Sequence, residues 1–322
     1  MASNGFSIFL TLLFVILFGI CRYFLYLNLP ALPGEEVDTV SVNVNETGRG
    51  SGNTSFQKTN NTVSKQFYPN MRYKNRLISY NIDSNCEQNK FDNIEEAISI
   101  IESETILNFY QSNVNAEINF LCSEIQPEAK YADHFVAGEG GPVEVINTSL
   151  YSVILAGKVS FYREDRCDRP LIAIHEILHA LGFDHNNNPR SILYPTLDCE
   201  QEIDSSIISD INAIYSVEKA PDLRIIKVDV SKSGAYLNFN IEVLNQGLDD
   251  LETASLSIYA DNELVKKFDL GDIDIGVKKI LGVENLKVPR SSQEIGFYVD
   301  EENSIREIFE DNNAVRVILN ED

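Results

Sequence analysis

The stretch that decides the fold is His175-Glu176-Ile177-Leu178-His179-Ala180-Leu181-Gly182-Phe183-Asp184-His185. Residues 171–181 are almost wholly apolar, which predicts a buried helix that starts after Asp168 and Pro170. His175 and His179 are four residues apart, so their side chains project from one face of that helix. Gly182 can adopt the left-handed conformation that ends a helix. The chain then turns back, so that His185 can approach the same point.

These three histidines predict a site for one zinc ion. Two imidazoles one helical turn apart can both reach an ion at Zn–N distances of about 2.0–2.1 Å. Three histidine ligands leave a fourth coordination position open, which is typical of a catalytic zinc site and not of a structural one. Glu176 follows the first ligand and is predicted to act as general base. The alternative is a buried helix that carries these groups by chance, but buried polar groups without partners are costly.

The eleven-residue pattern resembles the motif of the metzincin zinc peptidases, and within them it is most similar to the matrixin branch. The segment Ser191-Ile192-Leu193-Tyr194-Pro195 is similar to that branch's S-I-M-Y-P turn, and residues 203–216 resemble its closing helix. The resemblance covers about residues 70–217. It implies an α+β catalytic domain with a twisted, mixed five-stranded sheet, three helices and endopeptidase activity. Substrate would lie extended along an edge strand, which we predict to be the strand that ends before Tyr162.

The chain departs from the matrixin pattern in three ways. Leu193 stands where the turn has methionine, and we expect this residue of similar volume to form the hydrophobic floor under the metal without ligating it. Matrixins commonly carry an extra structural zinc bound by several histidines, but only His134 is left over here, so no second site of that type is predicted. No cysteine lies in the predicted linker at residues 30–67, so latency through a propeptide cysteine is not expected.

Other segments predict the framework around the zinc motif. Residues 76–82, 117–125 and 152–162 alternate or cluster apolar residues as strands do. The stretch Gly138-Glu139-Gly140-Gly141 is predicted to be a loop between the last two strands. A helix is predicted to begin at Asp92, with Glu95 as its capping-box partner.

The N-terminal residues differ from the rest of the chain. Residues 6–29 are uncharged apart from Arg22 and mostly apolar, and could span a hydrocarbon core of roughly 30 Å, so residues 1–29 are predicted to be a transmembrane anchor. A cleaved signal peptide is the main alternative, although a basic leading region and an A-x-A-like cleavage site are both missing. Residues 30–67 are rich in Asn, Ser, Thr and Gly and are predicted to be a flexible linker.

Four cysteines follow the anchor, an even number that is consistent with two disulfides in an oxidising compartment. Of the three possible pairings we favour Cys86–Cys122 and Cys167–Cys199, because the second would bracket the zinc motif. Four N-x-S/T sequons also favour a catalytic domain on the extracytoplasmic side of the membrane. Arg22 alone weakly favours the opposite orientation.

Residues 221–322 form short alternating segments separated by turns, which predicts an immunoglobulin-like antiparallel β-sandwich. Asn245-x-Gly247 and residues 307–313 resemble the CARDB domain, a module of bacterial and archaeal surface proteins. The sandwich is predicted to be separate from the catalytic domain at residues 68–218, with a modest polar interface. One acidic cluster could bind Ca²⁺, although a solvated acidic face is favoured. Its members are Asp300, Glu301, Glu302, Glu307, Glu310 and Asp311.

The composition limits the partners. The 26 basic and 49 acidic side chains give a net charge of −23 at pH 7, which repels phosphate backbones and argues against nucleic-acid binding. The sequence therefore predicts a membrane-anchored zinc endopeptidase that acts on protein or peptide substrates, with a sandwich that contacts the cell envelope. The alternative is a surface adhesion or binding protein that uses a peptidase-like scaffold. Glu176 favours the enzyme, because a site freed from catalysis could have lost its base.

Overall fold

The computed structural model describes residues 65–127 and 135–319, together with the backbone of Asp38–Asn43. The predicted anchor, most of the predicted linker and His134 lie outside these residues. Within the described ranges, none of the helices is long and apolar enough to cross a membrane.

The helices are α1 Gln88–Glu104, α2 Leu171–Ala180 and α3 Ser205–Tyr215. The first seven strands are β1 Asp38–Asn43, β2 Met71–Tyr73, β3 Leu77–Ile82, β4 Asn108–Gln111, β5 Ile118–Cys122, β6 Gly138–Asn147 and β7 Ser152–Phe161. The others are β8 Leu223–Ser233, β9 Tyr236–Asn245, β10 Leu251–Ala260, β11 Glu263–Ile273, β12 Lys278–Lys287, β13 Glu294–Val299 and β14 Ala314–Ile318.

Among the described residues, the sheet formed between residues 71 and 161 contains six strands, where five were predicted. Strands β4, β3, β5 and β7 lie side by side and are parallel, and β6 pairs antiparallel with the other edge of β7. The sixth strand is the short β2, which pairs with residues 152–154 of β7, while β5 pairs with residues 157–161. Two strands thus share one edge of β7, because β5 is too short to cover it.

Strand β6 begins with the glycine-rich stretch that the sequence predicted to be a loop. It is an edge strand, whereas β7, which we predicted to be the edge, lies inside the sheet between β5 and β6. A Cβ atom on Gly140 would lie 2.0 Å from the carbonyl oxygen of Glu176, and one on Gly138 would lie 2.8 Å from the Cγ atom of Glu176. The glycines therefore form a strand here because only a bare backbone can pass so close to α2.

Helix α1 begins at Gln88, one turn before the predicted start at Asp92. Its N-cap residue is Glu87, which makes no side-chain capping bond, so the predicted capping box is wrong. Glu95 instead accepts a hydrogen bond from the Tyr80 hydroxyl at 2.8 Å, which ties α1 to β3. The apolar face that the sequence predicted is buried against the sheet and comprises Ile94, Ala97, Ile98 and Ile101.

Helix α2 has the predicted limits. It follows Pro170, and Gly182 ends its last turn with a φ angle of 97°. All ten of its residues are buried. The first turn is held by Asp165, whose Oδ2 atom accepts the amide of Ile172 at 2.7 Å, and not by Asp168.

Both favoured disulfides are confirmed. Cys86–Cys122 joins the segment before α1 to the end of β5, with 5.0 Å between the Cα atoms. Cys167–Cys199 joins the segment before α2 to the segment after the 191–195 turn, with 5.4 Å between the Cα atoms. The second bond therefore brackets α2 and the loop that carries His185.

The C-terminal part is the predicted antiparallel sandwich. One sheet has the order β1-β8-β9-β12 and the other β11-β10-β13-β14. Alternating apolar residues from both sheets fill the space between them, among them Ile225, Ile241, Leu256 and Phe297. Strand β1 lies within the predicted linker and pairs with residues 227–232 of β8, so this part of the linker is a strand. The backbone groups at the edge of β8 explain the pairing, because an uncovered edge readily binds another strand.

The two domains meet through apolar side chains, where a modest polar interface was expected. Tyr151 and Val153 at the start of β7 form one buried cluster with Leu248 and Ile275 of the sandwich. Half-buried residues from both domains surround this cluster: Ile146, Leu150, Leu155, Val217 and Ile308. The sandwich is thus packed against the hairpin formed by β6 and β7.

We expect Gly140→Ala to destabilise the catalytic domain by about 1–3 kcal/mol, because the new methyl group overlaps the backbone of α2. The matched control is Gly141→Ala, since a Cβ there meets nothing within 4 Å and should change stability by less than about 1 kcal/mol. Urea unfolding measures both. Equal stabilities of the two variants would contradict the close packing of β6 on α2.

Candidate metal centre

Helix α2 and the loop after it bring the three predicted ligands together. The Nε2 atoms of His175 and His179 lie 3.0 Å apart, and each lies 3.2 Å from the Nε2 atom of His185. His175 and His179 are buried, whereas His185 is more exposed. In the described part of the chain, this is the one group that places three candidate ligand atoms within 4.8 Å of one another.

Backbone carbonyls orient the two buried imidazoles. The Nδ1 atom of His175 donates to the carbonyl oxygen of Ile192 at 2.5 Å, and that of His179 donates to Phe183 at 2.6 Å. Each Nε2 atom is then the nitrogen without a proton, so its lone pair faces the other histidines. Lone pairs only 3.0 Å apart repel each other unless a cation lies between them. The Nε2 separations are close to the roughly 3.3 Å that tetrahedral zinc–nitrogen bonds imply, so the residues fit zinc.

Burial also keeps these ligands neutral. Burial is the largest cause and, together with neighbouring imidazoles, lowers the pKa of His175 to about 3 and that of His179 to about 4. Burial lowers the pKa of His185 as well, although the adjacent Asp184 acts in the opposite direction. A neutral imidazole is the form that can donate its lone pair to a metal.

Glu176 lies beneath the first residues of β6, and its side chain is only 5 % exposed. Burial raises the pKa of Glu176 to about 8, and the nearby charge of Glu139 adds to this effect. A hydrogen bond from the backbone amide of Gly140 opposes the rise. Strand β6 therefore fixes both the position and the proton affinity of this carboxyl group.

A short segment before the catalytic domain holds the loop that carries His185. The amide of Phe67 donates to the carbonyl of Gly182 at 2.9 Å, and the amide of Asp184 donates to the carbonyl of Lys65 at 2.7 Å. The side chains of Lys65 and Asp184 form an ion pair. Residues 65–67 were predicted to belong to the linker, so these contacts were not expected. The Phe67 ring also packs near the site, with its centroid 5.8 Å from that of His179.

The 191–195 turn supports the ligands through its backbone. The carbonyl of Ile192 holds His175, and the carbonyl of Leu193 accepts the amide of Asn186 at 2.9 Å, directly after His185. Leu193 is fully buried in the main core of the catalytic domain. Its function as the floor under the metal stays a prediction.

A cavity of about 670 Å³ lies beside the first turn of α2, one turn before His175. Its walls include charged side chains such as Arg163 and Arg166. The other walls are mainly apolar and include the second disulfide: Ala137, Leu171, Ile172, Leu197, Cys167 and Cys199.

The acidic cluster of the sandwich is not the fully solvated face that we favoured. Asp300 and Glu307 are buried, and their carboxylates accept backbone amides of Ile305, at 2.8 Å, and of Leu223. In the described ranges no three carboxylates come within ligand distance of one another, so nothing there supports the Ca²⁺ interpretation. These acids tie the chain segments of the sandwich together.

The sequence model of the matrixin family matches residues 38–217, more than half of the 322 residues. The chain belongs to the matrixin family. A second family model, CARDB, matches residues 220–317 and therefore the sandwich that follows the matrixin domain. No curated protein matches the chain.

Solved structures resemble each half separately. A CARDB domain from Pyrococcus furiosus, in complex with di-metal ions, is 21 % identical and has a TM-score of 0.27. The match covers 30 % of this chain and 85 % of that one. High choriolytic enzyme 1, a hatching enzyme zinc-protease from the medaka Oryzias latipes, is 16 % identical with a TM-score of 0.28. That match covers 44 % of this chain and 90 % of the enzyme, and similarities at this level carry no argument about activity.

We expect His179→Ala to lose zinc, because two of the three ligands cannot hold the ion at the same affinity. Metal analysis of the dialysed protein should give close to one zinc per chain for the parent and almost none for the variant. His134→Ala is the control, since it removes the one histidine outside the motif and should retain the metal. Equal zinc contents of the parent and His179→Ala would refute the site.

The metal-free protein should lose stability in weak acid. The folded state keeps His175 and His179 neutral down to about pH 3–4, whereas the unfolded chain protonates them near pH 6.5. The stability is thus fully present above about pH 6.5 and decreases as the pH falls towards 4. In His179→Ala, urea unfolding between pH 5 and 6 should show a pH slope that is shallower by about 1.4 kcal/mol per pH unit, the value for one proton. Identical slopes would show that His179 is not held neutral.

Proposed function

We propose that this matrixin is a zinc-dependent endopeptidase that uses Glu176 as its general base. The observation that carries the proposal is the convergence of three neutral imidazole nitrogens, at 3.0–3.2 Å, next to a buried carboxyl group. Three histidine ligands leave one position open for a reactant. Membership of the matrixin family supports the same reaction class.

The residues of the site have distinct tasks. His175, His179 and His185 would hold zinc, which supplies Lewis-acid chemistry that polarises a carbonyl group and makes water more acidic. Glu176 accepts the proton of the attacking water and returns it to the leaving amine. Burial raises the pKa of Glu176 in the metal-free protein, which makes the carboxylate a stronger proton acceptor, whereas the charge of a bound zinc ion would act in the opposite direction.

The free edge of β6 is suited to an extended peptide. This strand pairs with β7 on one side, and its other edge has no strand partner among the described residues. A substrate segment could pair with that edge through backbone hydrogen bonds, which do not depend on its sequence. The cavity beside Leu171 and Ile172 would accept one of its side chains and provide selectivity.

The location of the enzyme is part of the proposal. Two disulfides support an oxidising compartment, and the matrixin domain would therefore face outwards from a membrane anchor at residues 1–29. The CARDB domain would contact the cell envelope or the substrate. A pure adhesion function is less well supported, because it gives no purpose to the carboxyl of Glu176, whose burial is costly.

We expect Glu176→Gln to keep about one zinc per chain and to lose at least about 10²-fold in kcat, because an amide cannot act as a base. The matched control is Glu144→Gln, the same chemical change on β6 at an exposed side chain. Peptides selected from a proteome-derived library, with and without a chelator, provide the assay. Full turnover by zinc-loaded Glu176→Gln would disprove the assignment.

A further inference from the structure

Strands β6 and β7 form a hairpin, and the free edge of β6 is the proposed binding edge for substrate, called the substrate edge below. The connection between the two strands, at the end remote from Gly138, is attached to the sandwich. We use the term hairpin tip for residues 148–151, which connect β6 to β7. The hydroxyl of Thr148 donates to the carbonyl oxygen of Gln246 at 2.9 Å, and the hydroxyl of Ser149 donates to the side-chain oxygen of Gln246. Both bonds cross from the matrixin domain to the CARDB domain.

The same contact is closely packed. Ile146, near the end of β6, lies against Gly276 of the sandwich, and a Cβ atom on Gly276 would come within 2.6 Å of the Ile146 Cγ2 atom. Tyr151, the last residue of the hairpin tip, and Val153 of β7 are buried with Leu248 and Ile275. The sandwich therefore contacts both strands of the hairpin.

The sandwich residues that make this contact are rigidly held. Asn245 accepts the amides of Asp222 and Gly247 through Oδ1, at 3.2 and 3.1 Å. The carbonyl of Asn245 accepts the amide of Gly276 at 2.8 Å, which joins the two contact loops to each other. The side-chain nitrogen of Gln246 donates to Asp222 at 3.3 Å. The amide group of Gln246 is thus bound by its own domain at one end and by the hairpin tip at the other.

The first residues of β6, at the end opposite the hairpin tip, pass over α2. The backbone of Gly140 lies against Glu176 and donates a hydrogen bond to its carboxyl group. Only β7 supports the middle of β6 through strand pairing in the described part of the sheet. A strand that is anchored at both ends is held in one position, whereas release at one end lets it move.

We infer that the CARDB domain acts as a positioning element for the substrate edge of the matrixin domain, through Gln246 and Gly276 at the hairpin tip. This inference rests on the proposed function, since it assumes that substrate binds along β6. Gln246 and Gly276 are positioning residues: neither touches the metal site, and both act through β6. Any partner that loads or shifts the sandwich would then alter substrate binding.

Three variants of the full-length protein test this inference. Gly276→Ala places a methyl group against Ile146, and Gln246→Ala removes the amide that bridges the domains. Gly271→Ala is the matched control: its φ angle of 67° is close to the 72° of Gly276, yet a Cβ there meets nothing closer than the Lys279 side chain at 3.9 Å. The control therefore carries the same backbone strain without the clash between domains.

The first measurement is amide hydrogen exchange of residues 138–147. Gly276→Ala and Gln246→Ala should both exchange faster there than the parent and Gly271→Ala, with unchanged zinc content. The second measurement is the cleavage rate of two peptides. One has about ten residues, is cleaved by the parent and can pair along the ten residues of β6. The other is the same peptide shortened to about three residues. KM for the long peptide should rise about 3- to 10-fold at nearly constant kcat, whereas the short peptide should be cleaved as by the parent.

The outcomes separate the two proposals. If exchange and KM in both variants match those of Gly271→Ala, the sandwich does not position β6 and the inference is wrong. It is also wrong if the long and short peptides are affected equally. If Gly276→Ala does not fold, Gln246→Ala decides, because it removes the bridging side chain without adding a clash. If the parent cleaves no peptide, the proposed function fails, while the exchange of residues 138–147 still decides whether the sandwich holds the strand.

Discussion

Three polar side chains are buried on one apolar helix, and their need for partners organises the matrixin domain around α2. Buried polar groups are costly unless they are hydrogen-bonded. His175 is satisfied by the carbonyl of Ile192, and His179 by the carbonyl of Phe183. Glu176 receives an amide of β6. Each partner comes from a different segment, so the turn after the third histidine, the loop that carries it and the edge strand must all converge on α2. The same bonds select the tautomers that leave the remaining nitrogens free for a metal.

Strand β6 is constrained by opposite requirements at its two ends. At one end it must approach the backbone of Glu176, which excludes every side chain at Gly140. At the other end it carries apolar residues such as Ile146 into the cluster between the domains. A glycine-rich strand has little intrinsic preference for an extended conformation and packs few side chains. Its order therefore depends on pairing with β7 and on these two contacts, one of which is made by the sandwich.

The parts of this structure that could be predicted are those whose determinants are close together in the sequence. Helix α2, the end at Gly182 and the convergence of His185 follow from spacing and from one glycine. Strand β6 could not be predicted from its glycines, because local preference favours a loop and the deciding contact with Glu176 comes from a distant segment. The same reason applies to β1, whose pairing depends on an open edge of β8. The disulfides were predictable because few pairings were possible.

The Asn245-x-Gly247 motif shows how one turn serves the sandwich and the interface together. Asn245 and Gly247 are both required inside the sandwich, since the asparagine side chain ties four backbone groups and a Cβ on Gly247 would lie 2.4 Å from the amide of Asp222. The amide of Gln246 donates to the carbonyl of Asp222 at 2.8 Å, a bond that any residue except proline can make, so the turn does not restrict the side chain at this position. Gln246 is nevertheless only 2 % exposed, and a buried amide stabilises an interface only where both of its ends find partners. The apolar cluster supplies most of the attraction between the domains, because it removes apolar surface from water. The amide supplies the register, because any shift of the hairpin would leave it unpaired. Strand β6 has no side chains at Gly138 and Gly140, where it crosses α2. A fixed position of the hairpin tip therefore helps to hold this strand in place.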